Sequence, residues 1–394
     1  MEKAKTIKTL SLIRPMIGCD PEIFFQRNGK IIGAEKVIPE KGISSYYQRD
    51  NSNEKIVLDG VQAELNPSPD ACRALLANKI QLQFRALRNR LKELGDKDLS
   101  ISFSSVVEVS KDELDSLSDQ AKVFGCAVSK NRYDKRSKVR VDARKYLKRS
   151  AGGHIHLGFS DNKRLMENRE KLVPVLDVMV GIPSVLIDRD PNAIERRRVY
   201  GRAGEYRLPK HGLEYRTLSN FWLRAYPLAS LMWAQARNAV AILDSTLRKQ
   251  PKQVACPQGI KMYSDDYWNK NYPPTWNASK ELLKEIDLRE VRRAINRNDL
   301  TLALKVFGEV SKFITKYMPK QDGLNASNLK EFDFFCKMIW EKGIEYWFPD
   351  ESLKHWTSEW EGHAAGWETF VGKIRVKMQE VTSVATEKLK EEVI

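Results

Sequence analysis

The stretch Ser150-Ala-Gly-Gly-His-Ile-His-Leu-Gly-Phe159 places two of the chain's five histidines inside a frame of glycines. It predicts an extended strand, in which alternate residues share a face. His154 and His156 should therefore point the same way, about 7 Å apart, while the apolar residues beside them face a core. Neutral imidazoles at this spacing suit a metal ion, a phosphate or both. A strand whose histidines are merely hydrogen-bonded is the structural alternative.

The bulk composition limits the class of protein. The 394 residues carry a net charge of +15, and this length suits one large or two ordinary domains. We expect no transmembrane helix and no signal peptide, because the sequence lacks long apolar runs. Five scattered cysteines without a CxxC pair fit a reducing cytosol. We therefore expect a cytoplasmic protein without membrane association, whose charge attracts nucleotides, nucleic acid or other anions.

A first acidic strand is predicted at residues 16–28, where it ends at the hairpin signal Asn28-Gly29. Asp20 and Glu22 share one face of this strand. Pro21 between them has no amide donor, which implies an edge or a bulge. Neighbouring carboxylates repel unless a cation lies between them. The apolar flanks favour such a site over two solvated acids.

A second acidic strand is predicted at residues 61–66. Gln62, Glu64 and Asn66 fall on one face of it, and apolar side chains fall on the other. A carboxylate flanked by two amides is an unusual surface for a purely structural strand. A long structural helix is expected to follow, over residues 71–94.

Arginines crowd the stretch 195–222, together with several glycines. They are Arg196, Arg197, Arg198, Arg202, Arg207 and Arg216. Guanidinium groups bind phosphate and carboxylate bidentately, and Glu214 should share a strand face with Arg216. A basic surface hairpin is the alternative. The basic segment 129–149 is equally consistent with a solvated loop and with an anion-facing rim.

The remaining chain is predicted to be mainly helical. A helix over residues 162–188 should be kinked or broken by its two prolines. Further helices are expected at 221–248, 279–296, 299–317, 327–346 and 364–392, with an ordered loop at 250–277. The chain thus divides into residues 1–249, the loop 250–277, and a helical region 278–394 that packs on the sheet or contacts another copy.

The strand-borne acids and histidine, considered together, suggest a cation site. They are Asp20, Glu22, Glu64, His154 and Glu214, from four predicted strands. On one face they would repel unless divalent cations neutralised them. A mostly oxygen donor set with one imidazole suits Mg²⁺ or Mn²⁺ better than Zn²⁺. With arginines nearby, the site suits phosphoryl transfer. The sequence has no Walker A motif and no kinase glycine-rich loop.

Four motifs in this order resemble the metal- and nucleotide-site strands of the glutamine synthetase and glutamate–cysteine ligase fold. They are Asp20-x-Glu22-x-Phe24, Gln62-x-Glu64, Gly153-His154-x-His156 and Glu214-x-Arg216. The segments Gly-Cys-Asp-Pro-Glu, Ala-Gly-Gly-His-Ile-His-Leu-Gly and Tyr-Gly-Arg-Ala-Gly-Glu-Tyr-Arg are similar to those of phage-associated carboxylate–amine ligases of the phiEco32-like type. The resemblance spans residues 16–245.

This resemblance implies an α+β fold, in which a curved antiparallel sheet with flanking helices binds ATP and magnesium. Residues 1–249 would be the catalytic domain, and the C-terminal helices would pack on it. ATP would phosphorylate a small-molecule or peptide carboxylate, and an amine would attack the acyl phosphate to form an amide. The sequence lacks a counterpart of glutamine synthetase's ammonia-site loop, which implies an amine larger than ammonia.

The resemblance also implies residue roles. Glu22 and Glu64 would hold one metal ion. Asp20, His154 and Glu214 would hold a second ion, nearer the transferred phosphate. Glutamine synthetase usually has a glutamate where this chain has Asp20, and the shorter side chain would allow ligation through water.

The basic residues would bind the reactants. His156 would contact a phosphate of ATP, and Arg216 would lie at the nucleotide end of the site. Arg198, Arg202 and Arg207 would clamp phosphate or the substrate carboxylate.

Other functions remain open from the sequence. A basic nucleic-acid-binding protein would explain the net charge but not the acidic strands. A metal-dependent phosphohydrolase would use the same acids without an acceptor amine, and a non-catalytic relative of the ligases would bind without turnover. Relatives of the fold form rings, dimers or monomers, so a homo-oligomer is also possible.

Overall fold

The computed structural model describes residues 15–45, 54–124, 129–134, 142–160, 162–188, 190–224, 226–247 and 278–317. The predicted loop at 250–277 and the predicted helices at 327–346 and 364–392 lie outside these residues.

Thirteen strands are described, and every pairing between them is antiparallel. They are β1 (Met16–Cys19), β2 (Glu22–Arg27), β3 (Lys30–Ile32), β4 (Ile43–Ser44), β5 (Lys55–Asp59), β6 (Gln62–Asn66), β7 (Leu99–Ser102), β8 (Val106–Glu108), β9 (Lys130–Asn131), β10 (Lys148–Ser150), β11 (Ile155–Gly158), β12 (Glu205–Arg207) and β13 (Gly212–Tyr215). They form a five-stranded sheet in the order β1-β11-β13-β12-β9, and a six-stranded sheet in the order β3-β2-β6-β5-β4 with β7 beside β2. A two-stranded sheet joins β10 and β8.

The described helices lie between and after these strands. They are α1 (Arg73–Leu94), α2 (Lys111–Ser116), α3 (Asp119–Lys122), α4 (Lys163–Asn168), α5 (Leu172–Leu176), α6 (Ile182–Ile187), α7 (Ala193–Val199), α8 (Tyr226–Leu247), α9 (Ala278–Glu285), α10 (Leu288–Arg297) and α11 (Leu300–Tyr317). Short 3₁₀ turns lie at Ala34–Lys36, Arg169–Lys171 and Asn220–Arg224. This mixture of helices and antiparallel sheets is an α+β architecture. None of the described helices is long and apolar enough to cross a membrane.

The predicted strand at residues 16–28 is in fact two strands in different sheets, so that prediction was wrong. β1 pairs with β11 in the five-stranded sheet, and β2 pairs with β6 in the six-stranded sheet. Asp20-Pro21 is the junction between them. The backbone polar groups at this junction are hydrogen-bonded to neighbouring segments. Leu65 N donates to Pro21 O (2.9 Å), and Glu22 N donates to Gly152 O (2.9 Å). The chain therefore passes from one sheet to the other at the acidic motif itself.

Local signals predicted several other elements correctly. The hairpin at Asn28-Gly29 joins β2 to β3, with positive φ at both residues. Helix α1 matches the prediction to within two residues and ends at Gly95, whose φ is 66°. The predicted strand 61–66 is β6. The predicted helix at 162–188 is broken, as its prolines indicated, into α4, α5, a π-helical turn at Asp177–Gly181 and α6.

The main core lies between the five-stranded sheet and the helices. Ile155 and Leu157 of β11 are fully buried in it, on the face opposite His156 as the alternation predicted. Trp222 and Trp233 pack edge to face there, with ring centroids 5.7 Å apart. Helix α8 packs on α1 and α5, while α10 and α11 pack on α6. The described C-terminal helices thus cover the same core that supports β11.

The π-helical turn carries a buried carboxylate into this core. Asp177 Oδ1 accepts hydrogen bonds from Tyr215 Oη (2.7 Å) and from Gly204 N (3.1 Å). Burial raises the pKa of Asp177 to about 6. Because the folded protein then holds this proton more tightly than the unfolded chain, the group's contribution to stability is lost as pH rises from the ordinary value of 3.8 through about 6.

Replacement of Asp177 by asparagine should remove this pH dependence. Between about pH 4 and pH 7, wild-type protein should lose up to about 3 kcal/mol of unfolding free energy relative to Asp177→Asn. Urea denaturation at the two pH values measures the difference. Asp96→Asn is the control, because hydrogen bonds from Asp98 N and Arg27 lower the pKa of half-buried Asp96 from its ordinary value of 3.8, so its contribution to stability changes below the measured pH range. An equal change in unfolding free energy with pH in wild type and Asp177→Asn would contradict the raised pKa of Asp177.

Candidate functional site

Three side chains converge where β1, β11 and β13 lie side by side. Asp20 follows β1, His154 precedes β11, and Glu214 lies on β13, so sheet pairing brings them together. One donor atom from each lies within 4.8 Å of the others. His154 Nδ1 is 3.0 Å from Asp20 Oδ1 and 3.6 Å from Glu214 Oε1. We call these three residues the histidine cluster.

A second group lies across the junction, on the six-stranded sheet. Glu22 stands directly opposite Glu64 in the β2–β6 register, and Asp59 ends the neighbouring strand β5. Donor atoms of these three carboxylates also lie within 4.8 Å of one another. Like charges directly opposite one another destabilise a sheet, so this carboxylate cluster is costly unless it is neutralised.

Asp59 was missed from the sequence. The signal was present, because Asp59-Gly60 is a turn dipeptide directly before the acidic strand, and Gly60 has a φ of 67°. The hairpin between β5 and β6 places Asp59 opposite Gln62. The structure then brings its carboxylate within 4.8 Å of donor atoms of Glu22 and Glu64.

The glycine frame holds the two clusters together. Gly152 N donates to Glu22 Oε2 (2.7 Å), and Gln62 Nε2 donates to the same oxygen (3.2 Å). A Cβ on Gly152 would collide with the ring of His154. Glycine is therefore required here, because the backbone must contact one cluster while the imidazole of the other lies against it.

Protonation differs between the two clusters. Burial raises the pKa of Glu22 to about 8, with a further contribution from Asp59. Burial and the nearby Asp20 raise the pKa of Glu64 to about 9. Burial also acts to raise the pKa of Asp20, but the imidazoles of His154 and His156 outweigh it and leave the pKa below its ordinary value. Glu22 and Glu64 therefore hold protons more tightly than ordinary glutamates, whereas Asp20 loses its proton more readily than an ordinary aspartate.

These residues fit divalent cations. Asp20 Oδ1 and His154 Nδ1 are both buried and lie 3.0 Å apart, and beyond each other neither has a hydrogen-bond partner among the described residues. Burial lowers the pKa of His154, which favours the neutral imidazole that a metal requires. Two carboxylates with one imidazole, and three carboxylates beside them, are donor sets suited to Mg²⁺ or Mn²⁺.

Two of the predicted arginines meet the histidine cluster. Arg207 binds Glu214 bidentately, with both donor–acceptor distances at 2.6 Å. Arg216 Nε lies 3.1 Å from Glu214 Oε1, and Arg216 also donates to Ser129 Oγ (3.0 Å). The side chain of Arg207 is 29% exposed and that of Arg216 is fully buried. Arg207 is thus the one of the pair that solvent reaches.

His156 lies on the accessible side of the same cluster, 20% exposed. Its Nε2 is 3.0 Å from Asp20 Oδ2, and its Nδ1 is 3.3 Å from Nε2 of His211, on which it stacks. Burial lowers the pKa of His156, but the Asp20 carboxylate outweighs it and the net pKa is raised. The contact of His211 with His156 was not predicted.

Other arginines of the crowded stretch lie elsewhere. Arg198 is 70% exposed and pairs with Glu195 at 2.6 Å, and none of its described contacts reaches either cluster. Arg202 is half-buried, and its carbonyl accepts from Thr217 Oγ1. Arg196 is buried and donates to the carbonyls of Ala151, Thr217 and Leu218, so it braces the backbone on both sides of the site.

Grouped carboxylates beside arginines are side chains that suit divalent cations and phosphate. Residues 118–297 match the family model described as Phage phiEco32-like COOH.NH2 ligase-type 2. The match confirms the resemblance that the motifs indicated, and it extends over less than half of the chain. No curated protein matches the chain.

The matched segment covers only part of the site. It includes His154, His156 and the residues of β12 and β13. It begins after Asp20, which follows β1, and after Glu64, which lies on β6. The structure brings these N-terminal acids to the matched segment.

Neutralising one acid of the carboxylate cluster should stabilise the metal-free protein. Glu64→Gln imitates the protonated acid, so we expect the free energy of unfolding in a chelator to rise by about 1–3 kcal/mol. The same variant should gain less stability than wild type when Mg²⁺ is added, because it has lost a donor. Urea denaturation with and without Mg²⁺ measures both effects.

Glu108→Gln, an exposed acid of β8, is the matched control and should change stability by less than about 0.5 kcal/mol. Destabilised Glu64→Gln in the chelator, or an undiminished response to Mg²⁺, would argue against a cation site at the carboxylate cluster.

Proposed function

We propose that this protein is an ATP-dependent carboxylate–amine ligase that forms an amide bond through an acyl phosphate. The family match supports the carboxylate–amine ligase class. The observation that supports ATP and metal dependence is the pair of three-donor clusters on either side of Asp20-Pro21-Glu22. We further propose that the sheets form the curved nucleotide-binding sheet of the glutamine synthetase type.

In this proposal each cluster holds one Mg²⁺, with Mn²⁺ as a substitute. The histidine cluster binds one ion and the carboxylate cluster binds the other. Bound divalent cations would neutralise charge on the phosphates of ATP and on the transferred phosphoryl group. The sequence predicted two donors for the ion at the carboxylate cluster, Glu22 and Glu64, and we propose Asp59 as the third.

The basic side chains divide into supporting and binding residues. Buried Arg216 keeps Glu214 in position from within the sheet. Arg207 and His156 are the partly exposed basic groups beside the histidine cluster, so they are the groups that reach phosphate oxygens or a substrate carboxylate. A bidentate arginine suits both anions. A role for Arg198 would require it to leave Glu195.

The proposed reaction has two steps. An oxygen of the substrate carboxylate attacks the γ-phosphorus of ATP, and the bond to ADP breaks. The amine nitrogen then attacks the acyl carbon, phosphate leaves, and the amine loses a proton. The net charge of +15 suits anionic reactants, including a carboxylate attached to a larger anion.

ATP turnover tests this proposal. Purified protein, Mg²⁺ and ATP are combined with a pooled panel of carboxylates and amines, and released ADP is measured. We expect release to require both pools and to fall at least about 10³-fold in Glu64→Ala and His154→Ala, which lose metal donors. Hydroxylamine in place of the amine should trap the activated carboxylate as a hydroxamate.

The alternative functions give different results in the same assay. ADP release that needs neither carboxylate nor amine would favour a phosphohydrolase. No nucleotide binding with either Mg²⁺ or Mn²⁺ would overturn the proposal and leave the basic surface, with nucleic acid as a partner, to be explained.

Loss of the accessible arginine should affect the chemical step. Arg207→Gln removes the charged donor beside Glu214, so we expect kcat to fall about 10²-fold while the fold is kept. Arg289→Gln is the matched control, because exposed Arg289 lies in the first turn of α10 and pairs with the N-cap residue Asp287. Equal activity of the two variants would exclude Arg207 from the reaction.

A further inference from the structure

Tyr200 makes a contact with the histidine cluster that neither the sequence motifs nor the family match assigns. It follows directly after α7 as the residue that ends this helix. Its hydroxyl lies 2.5 Å from Nε2 of His154. The two rings meet edge to face, with centroids 5.7 Å apart and planes at 87°. Nε2 of this imidazole thus contacts Tyr200, and Nδ1 faces Asp20 and Glu214.

The ring of Tyr200 is held independently of its hydroxyl. The guanidinium of Arg196 lies 4.8 Å from the ring centroid, and that of Arg216 lies 4.9 Å from it. Arg196 is anchored on three backbone carbonyls, and Arg216 is anchored on Glu214. Cation–π contacts of this kind fix the ring, which leaves the hydroxyl as the group directed at His154.

The chain turns sharply after Tyr200 to permit this arrangement. Gly201 has a φ of 73°, a conformation that side chains other than glycine rarely adopt. A Cβ at this position would collide with the guanidinium of Arg196. The turn therefore allows Arg196 of α7 to pack against the ring of Tyr200, which directly follows this helix.

We propose that Tyr200 is a positioning residue that sets the orientation and tautomer of His154 for cation binding. The hydroxyl oxygen accepts a hydrogen bond from Nε2–H, so the Nδ1 lone pair is directed at the point shared with Asp20 and Glu214. Partners of this kind fix the ring and raise its basicity as a ligand. This inference rests on the proposed metal-binding role of the histidine cluster.

The test measures metal affinity at one cluster without ATP. In Glu64→Gln the carboxylate cluster is impaired, so Mn²⁺ bound at high affinity reports on the histidine cluster. Tyr200→Phe in this background keeps the ring and removes only the hydroxyl. We expect the Kd for Mn²⁺, measured by electron paramagnetic resonance of the free ion, to rise about 10- to 100-fold.

Tyr215→Phe in the same background is the matched control. It also removes one buried tyrosine hydroxyl, whose hydrogen bond goes to Asp177 on the other face of the sheet. It should lower the unfolding temperature and leave the Mn²⁺ Kd unchanged. If the role of Tyr200 were purely structural, Tyr200→Phe would also lower the unfolding temperature and leave the Mn²⁺ Kd unchanged.

The measured Kd values distinguish the positioning role of Tyr200 from the proposed ligase function. An unchanged Kd in folded Tyr200→Phe, or an equal loss in Tyr215→Phe, would overturn the positioning role while leaving the proposed ligase intact. No Mn²⁺ binding by the wild-type protein would overturn the proposed function, and the positioning role with it. A rise confined to Tyr200→Phe would establish the role.

Discussion

Burial of like charge is the constraint around which this structure is built. Five carboxylates lie in two adjoining clusters, largely out of water, where ionised groups are costly unless they are compensated. The two clusters meet this cost differently. Glu214 has two arginines and Asp20 has two histidines, whereas Glu22 has backbone and amide donors. The carboxylate cluster therefore depends more on protons or on an added cation.

The scaffold that imposes this arrangement centres on β11. It lies between β1 and β13, so its histidines are within reach of acids from both neighbours. The backbone of Gly152, just before it, pairs with Glu22 of the other sheet. The described helices cover the opposite face of β11 and bury its aliphatic residues. One strand thus connects the core, both sheets and both clusters.

The sequence predicted those features that depend on alternation and local turn chemistry. Residue spacing predicts which acids share a face of a strand. Backbone preference predicts where the Asn28-Gly29 hairpin turns and where α1 ends. The ligase resemblance followed from four short motifs in order. The metal and nucleotide roles of the predicted residues remain predictions.

Features that depend on which strands become neighbours could not be predicted from spacing. The break at Pro21 looked like a bulge, because nothing local distinguishes a bulge from a change of sheet. The positions of Asp59 and Tyr200 depend on contacts between distant segments. Arg198 and Arg196 belong to the same basic run, yet one faces solvent and the other is buried, because helix α7 turns them to different sides.

The junction at Asp20-Pro21-Glu22 has a consequence for how such a protein can change over time. These two acids, one for each cluster, are joined by no more than about 7 Å of chain. An insertion or deletion here would shift one donor out of reach and turn the next strand over, so its acids would face the wrong side. A length change at this junction would therefore disrupt the donor sets in one step, whereas surface loops elsewhere can lengthen at small entropic cost.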